Sequence, residues 1–332
     1  MVQHGEPMKI LITGGAGFLG QRLAKKLLER GTLKDADDKD ASIDQVVLVD
    51  IVEGMPIPDK RIRHIVGDIG NPSFLKSTID ANTDSVFHLA AIVSGQAEAD
   101  FDLGMRINVD ASRQLLDLCR GLGHRPKFVF ASSVAVFGGE LPAIVPDTTA
   151  LAPQSSYGTQ KAVVELFVND YTRKGFVDGR VLRLPTISVR PGRPNAAASS
   201  FASGIIREPL NGEPAPCPVN ANTRLWLASP ETIIESLLFG HDVAASALGV
   251  SRNINVPGLS VTVGDMVSAL ERVAGAEVAN RIQWKADARI ERIVSSWPGA
   301  LDSRKALSLG FPRDENFDAF IRQYMRDEMS AR

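Results

Sequence analysis

The chain has 332 residues, 44% of them hydrophobic, with 37 Lys+Arg against 39 Asp+Glu and a net charge of −2. That length holds a full α/β domain plus a smaller lobe, and the near-neutral balance excludes nucleic acid and anionic membranes as partners. Two cysteines, Cys119 and Cys217, and five scattered histidines give neither a disulfide framework nor metal-ligand spacing, so no metal is expected.

No apolar run reaches membrane-spanning length. Residues 1–7 read as a loose tail without the apolar core of a signal peptide, and a cytoplasmic location is expected.

Lys9 to Thr13 is a short apolar run suited to a buried parallel strand. Gly14, Gly17 and Gly20 follow at Gly-x-x-Gly-x-x-Gly spacing, and Phe18, Leu19, Leu23, Leu27 and Leu28 then fall at helical spacing. Strand, glycine turn and helix together let the backbone approach a pyrophosphate and aim helix N-terminal amides at it. A second strand over residues 46–49 ends in Asp50, whose carboxylate suits both hydroxyls of an adenosine ribose. It would repel a 2′-phosphate, which favours NAD over NADP. The Asp- and Lys-rich residues 32–44 read as a solvated insertion that accounts for the long spacing from the glycines.

Ile62 to Val66 is a third strand, leading into Gly67, Asp68 and Ile69. Asp68 suits an adenine amino group or a helix N-cap. Residues 84–88 form a fourth strand that ends in Leu89, Ala90 and Ala91, leaving room for a flat ligand beside the backbone. His88 alone reads as a packed core histidine. Ser94 to Phe101 make a loop or short helix over that edge, and residues 106–120 repeat as a helix with Asn108 near its start.

The fifth strand, residues 127–131, empties into Ser132 and Ser133. Tyr157 and Lys161 then stand four apart on a predicted helix, so both side chains leave one face. A phenol with a pKa near 10 is a poor base, but an adjacent ammonium and an oxidised nicotinamide favour phenolate. Tyr157 can then take a proton from an alcohol while a hydride leaves its carbon. Lys161 can also hold the nicotinamide ribose, and Ser133 can orient the same oxygen.

Residues 181–184 form a sixth strand, followed by Pro185 and an Arg/Pro-rich segment, residues 190–194. From about Asn195 the texture changes, with helical patterns at 199–211, 231–248, 263–274 and 317–329. The expected division is a dinucleotide-binding domain over 8–185, with a return to the sheet near 253–257. Residues 186–252 and 258–332 make the substrate lobe.

The Thr13-to-Gly20 turn, Asp50, Gly67-Asp68-Ile69, His88-Leu89-Ala90-Ala91, Ser132-Ser133 and Tyr157-x-x-x-Lys161 together resemble the extended short-chain dehydrogenase/reductase superfamily, over almost the whole chain. The resemblance implies an α/β Rossmann-type doubly wound parallel sheet with a smaller, mainly helical C-terminal lobe, and NAD as cofactor. It implies Ser133, Tyr157 and Lys161 as the catalytic set. Around the cofactor it implies Gly14, Gly17, Phe18, Leu19, Gly20, Asp50, Asp68 and Ile69. Leu89, Ala90, Ala91, Asn108, Tyr157, Lys161 and Leu184 complete that group. A homodimer through helices 106–120 and 157–173, packed as a four-helix bundle, is also implied.

Residues 92–101 and 184–190 resemble, more narrowly, the members that oxidise C2 of the four-carbon sugar acid D-erythronate with NAD. One alternative is a nucleoside-diphosphate-sugar 4-epimerase with tightly bound NAD, and another is an NAD-sensing regulator with a dead site. Against the first, Thr186 stands where epimerases usually carry Asn, and Arg224-Leu225-Trp226 keeps the Arg of their later motif without its acids. Val134 follows Ser133 where a dehydratase has an acid. A small hydroxy acid needs a cation for its carboxylate, for which Arg190, Arg193 and Arg224 are available. Ser94, Ser133 and Thr186 add polar contacts, and Trp226 a wall that excludes water.

Overall fold

The computed structural model describes residues 7–192 and 197–329. Its strands are, in chain order, β1 (Met8–Thr13), β2 (Thr32–Lys34), β3 (Asp40–Asp50), β4 (Ile62–Val66), β5 (Thr83–His88) and β6 (Lys127–Ser133). There follow β7 (Asp178–Leu184), β8 (Thr186–Ile187), β9 (Ala215–Cys217), β10 (Arg224–Ala228), β11 (Asn253–Asn255), β12 (Leu259–Thr262) and β13 (Ile282–Trp284).

The large sheet runs β4-β3-β1-β5-β6-β7-β11, all parallel, with β2 antiparallel on the first residues of β3. Alternation along each strand sends successive side chains to opposite faces. Ile10, Ile12, Val46, Leu48, Phe87 and Val129 face the helices Phe18–Arg30 and Pro230–Asp242, meeting Leu23, Leu27, Ile233 and Leu237. Leu11, Val47, Val49, Val86, Phe128 and Val181 face the helices Ala111–Arg120 and Ser156–Arg173, meeting Leu115, Leu116, Val164 and Val168. Burial on both faces explains why these strands read as nearly continuous apolar runs. Strand order reverses between β1 and β5, and the crevice at their carboxyl ends is where a doubly wound sheet takes a ligand.

The lobe has its own core. Phe201, Ile205, Ile206, Leu225, Leu227, Met266, Leu270 and Phe320 pack around the small sheet β12-β10-β8, and β9 pairs with β13. The boundary differs from the sequence expectation. The helix Pro230–Asp242 and the Ala306–Phe311 stretch, counted with the lobe, pack into the core beneath the large sheet. The return at β11, by contrast, pairs with β7 where residues 253–257 were expected to rejoin the sheet.

Residues 32–44 are also not a plain solvated loop. They form a hairpin of β2 on β3 in which Leu33 and Ala41 are fully buried, and the Lys34 amide donates to Asp242 Oδ1 at 3.0 Å. Short alternating apolar positions inside a run of charges concealed this pairing. Among the described residues no helix is long and apolar enough to cross a membrane. No group of three or more His, Cys, Asp or Glu among them could hold a metal ion.

Two histidines are sealed in the large domain. His88 lies between Thr13 Oγ1 (2.6 Å) and Ser112 Oγ (2.7 Å), and His241 between Ser85 Oγ (2.8 Å) and Asp242 Oδ1 (2.9 Å). Burial lowers their pKa values to about 3 and about 4, against an ordinary 6.5, so both are neutral in the folded chain. Between pH 6.5 and 4 the unfolded chain therefore binds more protons, and stability falls as the pH falls. Each histidine should remove about 1.4 kcal/mol per pH unit across that window. Urea unfolding midpoints measured from pH 7 to 4.5 should drop steeply, and less steeply in His241→Gln; a flat profile would contradict this account.

Candidate active site

Gly14 has φ +73°, and a Cβ there would sit 2.8 Å from Ala90 N. A Cβ on Gly20 would sit 2.3 Å from Gly14 O. The turn therefore admits only glycine at both positions. Gly17 caps the helix Phe18–Arg30 without a side-chain bond, which leaves first-turn amides for a ligand. Together with Phe18, Leu19, Ile69 and the Leu89-Ala90-Ala91 strand end, these residues border a cleft of about 550 Å³.

Asp50 ends β3 at the rim of this cleft. Its Oδ2 accepts from Ala16 N (3.0 Å) and its Oδ1 from Ile51 N (2.7 Å), so the glycine loop itself aims the carboxylate. Two of the expected cofactor contacts are already bonded within the protein. Asp68 borders the cleft but is held by Arg106 Nη1 (2.7 Å) and Gly70 N (2.7 Å), and those bonds keep its carboxyl below the usual range against the desolvation that would raise it. Asn108 does not border the cleft. It is buried, accepting from Ile92 N (2.7 Å) and donating to Ile92 O (2.9 Å) and Gln160 Oε1 (2.7 Å). A buried amide must be satisfied internally, and this one braces the loop after β5.

A second, smaller cavity of about 210 Å³ opens beside the cleft and shares Leu19, Leu89, Ala91, Ile187 and Arg190 with it. Ser133, Tyr157 and Lys161 meet there, with Ser94, Leu184 and Thr186 also on its wall. Ser133 ends β6 and its Oγ accepts from Ala135 N (3.1 Å), whereas Ser132 Oγ is committed to Glu165 (2.6 Å). The two serines thus have different partners.

Lys161 is 3% exposed. Its Nζ donates to Ala131 O (2.8 Å) and lies 4.6 Å from the Phe130 ring centroid and 5.7 Å from that of Tyr157. Burial lowers its pKa to about 7, opposed by the charge of Glu165. Burial also raises the Tyr157 phenol to about 12, while Ser133 and the Arg190 guanidinium pull it back. Arg190 is half-buried, with its amide donating to Ser203 Oγ (3.0 Å) and its carbonyl accepting from Arg207 Nη1 (2.8 Å). Both bonds come from the helix Phe201–Leu210, so the lobe fixes the backbone that carries this cation.

Two expected substrate residues are elsewhere. Arg224 is exposed on β10, with Nη1 3.3 Å from Ser260 Oγ. Trp226 is packed with Val134, Phe137 and Leu301, and its Nε1 donates to Val256 O (3.2 Å). Strand alternation aims both away from the cavity. Arg193 lies outside the described residues. The aromatic wall is Trp297 instead, and Ser199 stands near it; neither belongs to any local motif that marks it in the sequence.

Residues 10–228 match the model of the NAD dependent epimerase/dehydratase family. A D-erythronate dehydrogenase of Cupriavidus necator is 58% identical over 320 residues, 96% of this chain and 98% of that protein. One from Haemophilus influenzae is 48% identical over 323 residues, 97% of this chain and 100% of that protein. The crystal structure of a nucleoside-diphosphate-sugar epimerase from Agrobacterium tumefaciens has a TM-score of 0.92 at 39% identity, covering 99% of this chain and 96% of the other. Glycine cleft, acid-ended strand and the Ser133–Tyr157–Lys161 cavity thus occur in a chain that belongs to the NAD-dependent epimerase/dehydratase family.

Proposed function

We propose that this protein oxidises the C2 hydroxyl of a small sugar acid, D-erythronate, to the 2-keto acid with NAD+. The observation that carries the reading is the cavity itself. It sets Tyr157, Ser133 and Lys161 beside a half-buried arginine in about 210 Å³. Pockets for drug-sized ligands take ~300–1,000 Å³, so this space suits a four-carbon acid better than a nucleotide-sugar. The long D-erythronate dehydrogenase relatives support the same substrate.

The cleft fits NAD: its glycine turn leaves no room for side chains, its helix start is uncapped and Asp50 is aimed at its rim. Bound there, NAD+ supplies the hydride acceptor. In this reading Gly14, Gly17 and Gly20 border the pyrophosphate and Asp50 takes the adenosine ribose hydroxyls. Phe18, Leu19, Ile69, Leu89, Ala90, Ala91 and Leu184 provide the apolar walls.

Tyr157 Oη removes the C2 hydroxyl proton as the C2–H bond breaks. Lys161, held by Ala131 O, favours the phenolate and also binds the nicotinamide ribose. Ser133 fixes the substrate oxygen. Arg190 takes the carboxylate with two N–H donors, while Ser94 and Thr186 line the remaining wall.

The same paired helices support the proposed homodimer, since Ser156–Arg173 leaves Leu166 66% exposed. Both cysteines are free thiols, which suits the cytoplasmic location proposed with it.

With purified protein, NAD+ and D-erythronate, absorbance at the NADH band should rise. Tyr157→Phe should lower kcat by about 10²- to 10⁴-fold while NADH binding persists. Interconversion of UDP-sugars without net NADH would instead establish the epimerase reading. Arg190→Ala should cut kcat/KM for the acid by about 10- to 100-fold, the loss of one charge-assisted contact. Arg224→Ala should leave it within about two-fold, because that side chain points to Ser260. Equal losses in both variants would remove Arg190 from its role. Light scattering should give twice the chain mass, falling toward one in Leu166→Glu; a monomer at assay concentration refutes the dimer.

A further inference from the structure

The short stretch from Thr186 to Arg190 gives the small cavity Thr186, Ile187 and Arg190, and it hangs from the helix Phe201–Leu210. Ser188 Oγ donates to Ala202 O (2.8 Å). Ser203 Oγ donates to Ile187 O (3.4 Å) and accepts from Arg190 N (3.0 Å). One turn further on, Arg207 Nη1 donates to Arg190 O (2.8 Å). Ser203 and Arg207 stand four apart, so both side chains leave one side of the helix. They are 1% and 5% exposed.

A guanidinium so far from water is costly unless its charge is answered and its donors are met. Glu208 Oε1 answers the charge at Nη2 (2.6 Å), which leaves Nη1 for the Arg190 carbonyl. Arg190 is held differently. Burial and then the Arg207 charge push its guanidinium below the usual range, and the group that opposes them is Tyr157. No carboxylate of the described residues acts on it. The helix therefore grips Arg190 by its backbone and leaves its charge unanswered by any acid of the chain.

We infer that Arg207 is a positioning residue for the substrate carboxylate and acts through Arg190. This rests on the reading proposed above, in which Arg190 takes the C1 carboxylate with two N–H donors. A two-pronged grip tolerates little displacement, and the bond to the Arg190 carbonyl sets where that fork reaches. The carboxylate is held alike before and during hydride transfer, so misaligning its partner raises KM more than it lowers kcat.

The test is a double-mutant cycle, with kcat and KM for D-erythronate measured in wild type, Arg207→Met, Arg190→Ala and the two combined. Arg207→Met should raise KM by about 10-fold and change kcat by less than about two-fold, the loss of one charge-assisted bond. Added to Arg190→Ala, it should change kcat/KM by less than about two-fold, because the group it positions is gone. Arg207→Lys, which keeps a donor, should recover part of the loss. Ser203→Ala removes the bond at the Arg190 amide without stranding a charge. It should repeat the pattern at smaller size, and it carries the test if Arg207→Met does not fold. A loss as large in the Arg190→Ala background as in wild type would make Arg207 a structural residue and overturn the inference, with the proposed reaction standing. Wild-type kinetics in both Arg207→Met and Ser203→Ala would do the same. If wild type binds NADH but oxidises no sugar acid, the reaction falls and the inference with it.

Discussion

A carboxylate cut off from water sets the register of the helix Ser156–Arg173. Glu165 is fully buried, and it accepts from Ser132 Oγ (2.6 Å), from Arg183 Nε and Nη2 (3.0 and 2.7 Å) and from Asn253 Nδ2 (3.1 Å). Those donors sit on β6, β7 and β11, so one side chain ties the helix Ser156–Arg173 to three neighbouring strands. A buried charge is tolerated only when it is paired and its lone pairs are filled, and stranding one member of such a set costs several kcal/mol. The helix cannot rotate or slide without doing so. Because Tyr157, Lys161 and Glu165 are spaced four apart, they share one face. Fixing the third fixes where the first two emerge, under the mouth of β6 and beside Ser133.

The same burial sets the resting charge state. It raises the phenol and lowers the ammonium, so neither ion is favoured in the protein alone. What opposes it is specific: Ser133 and Arg190 act on Tyr157, and Glu165 acts on Lys161. On the reading proposed above, the phenol becomes a base as positive charge gathers round it, since each cation near the ring favours the phenolate. The low dielectric that opposes ionisation also strengthens those attractions.

Local features were legible in the sequence for a physical reason. The glycine turn, Asp50, Ser133 and the Tyr157–Lys161 pair each depend on a few adjacent residues, and the backbone period alone places their side chains. What was not legible depends on contacts distant in sequence. Asn108 has the polarity of a cofactor ligand, but Ile92 and Gln160 use up its hydrogen bonds. Arg224 keeps the charge of a substrate ligand, yet the strand turns it to Ser260. Trp297 reaches the cavity only because the whole lobe folds back across it. The Pro230–Asp242 helix looked like lobe by position and is core by packing, since Ile233 and Leu237 find the face of the sheet that the first helix leaves open.

These origins divide the site into two kinds of wall. The large domain supplies the glycine cleft and Ser133 from its strand ends, and Tyr157 and Lys161 from the helix Ser156–Arg173. The lobe supplies Arg190, Ser199 and Trp297 to the wall of the small cavity. Steric limits at Gly14 and Gly20 and the buried Glu165 carboxylate leave the sheet half little freedom. The lobe half seats the cation. Its Arg190 backbone hangs on two bonds from one helix, to Ser203 and Arg207, so small changes there re-aim a cation without disturbing the strands beneath. On the reading proposed above, substrate choice is therefore a property of how the lobe seats a few polar groups over Ser133, Tyr157 and Lys161.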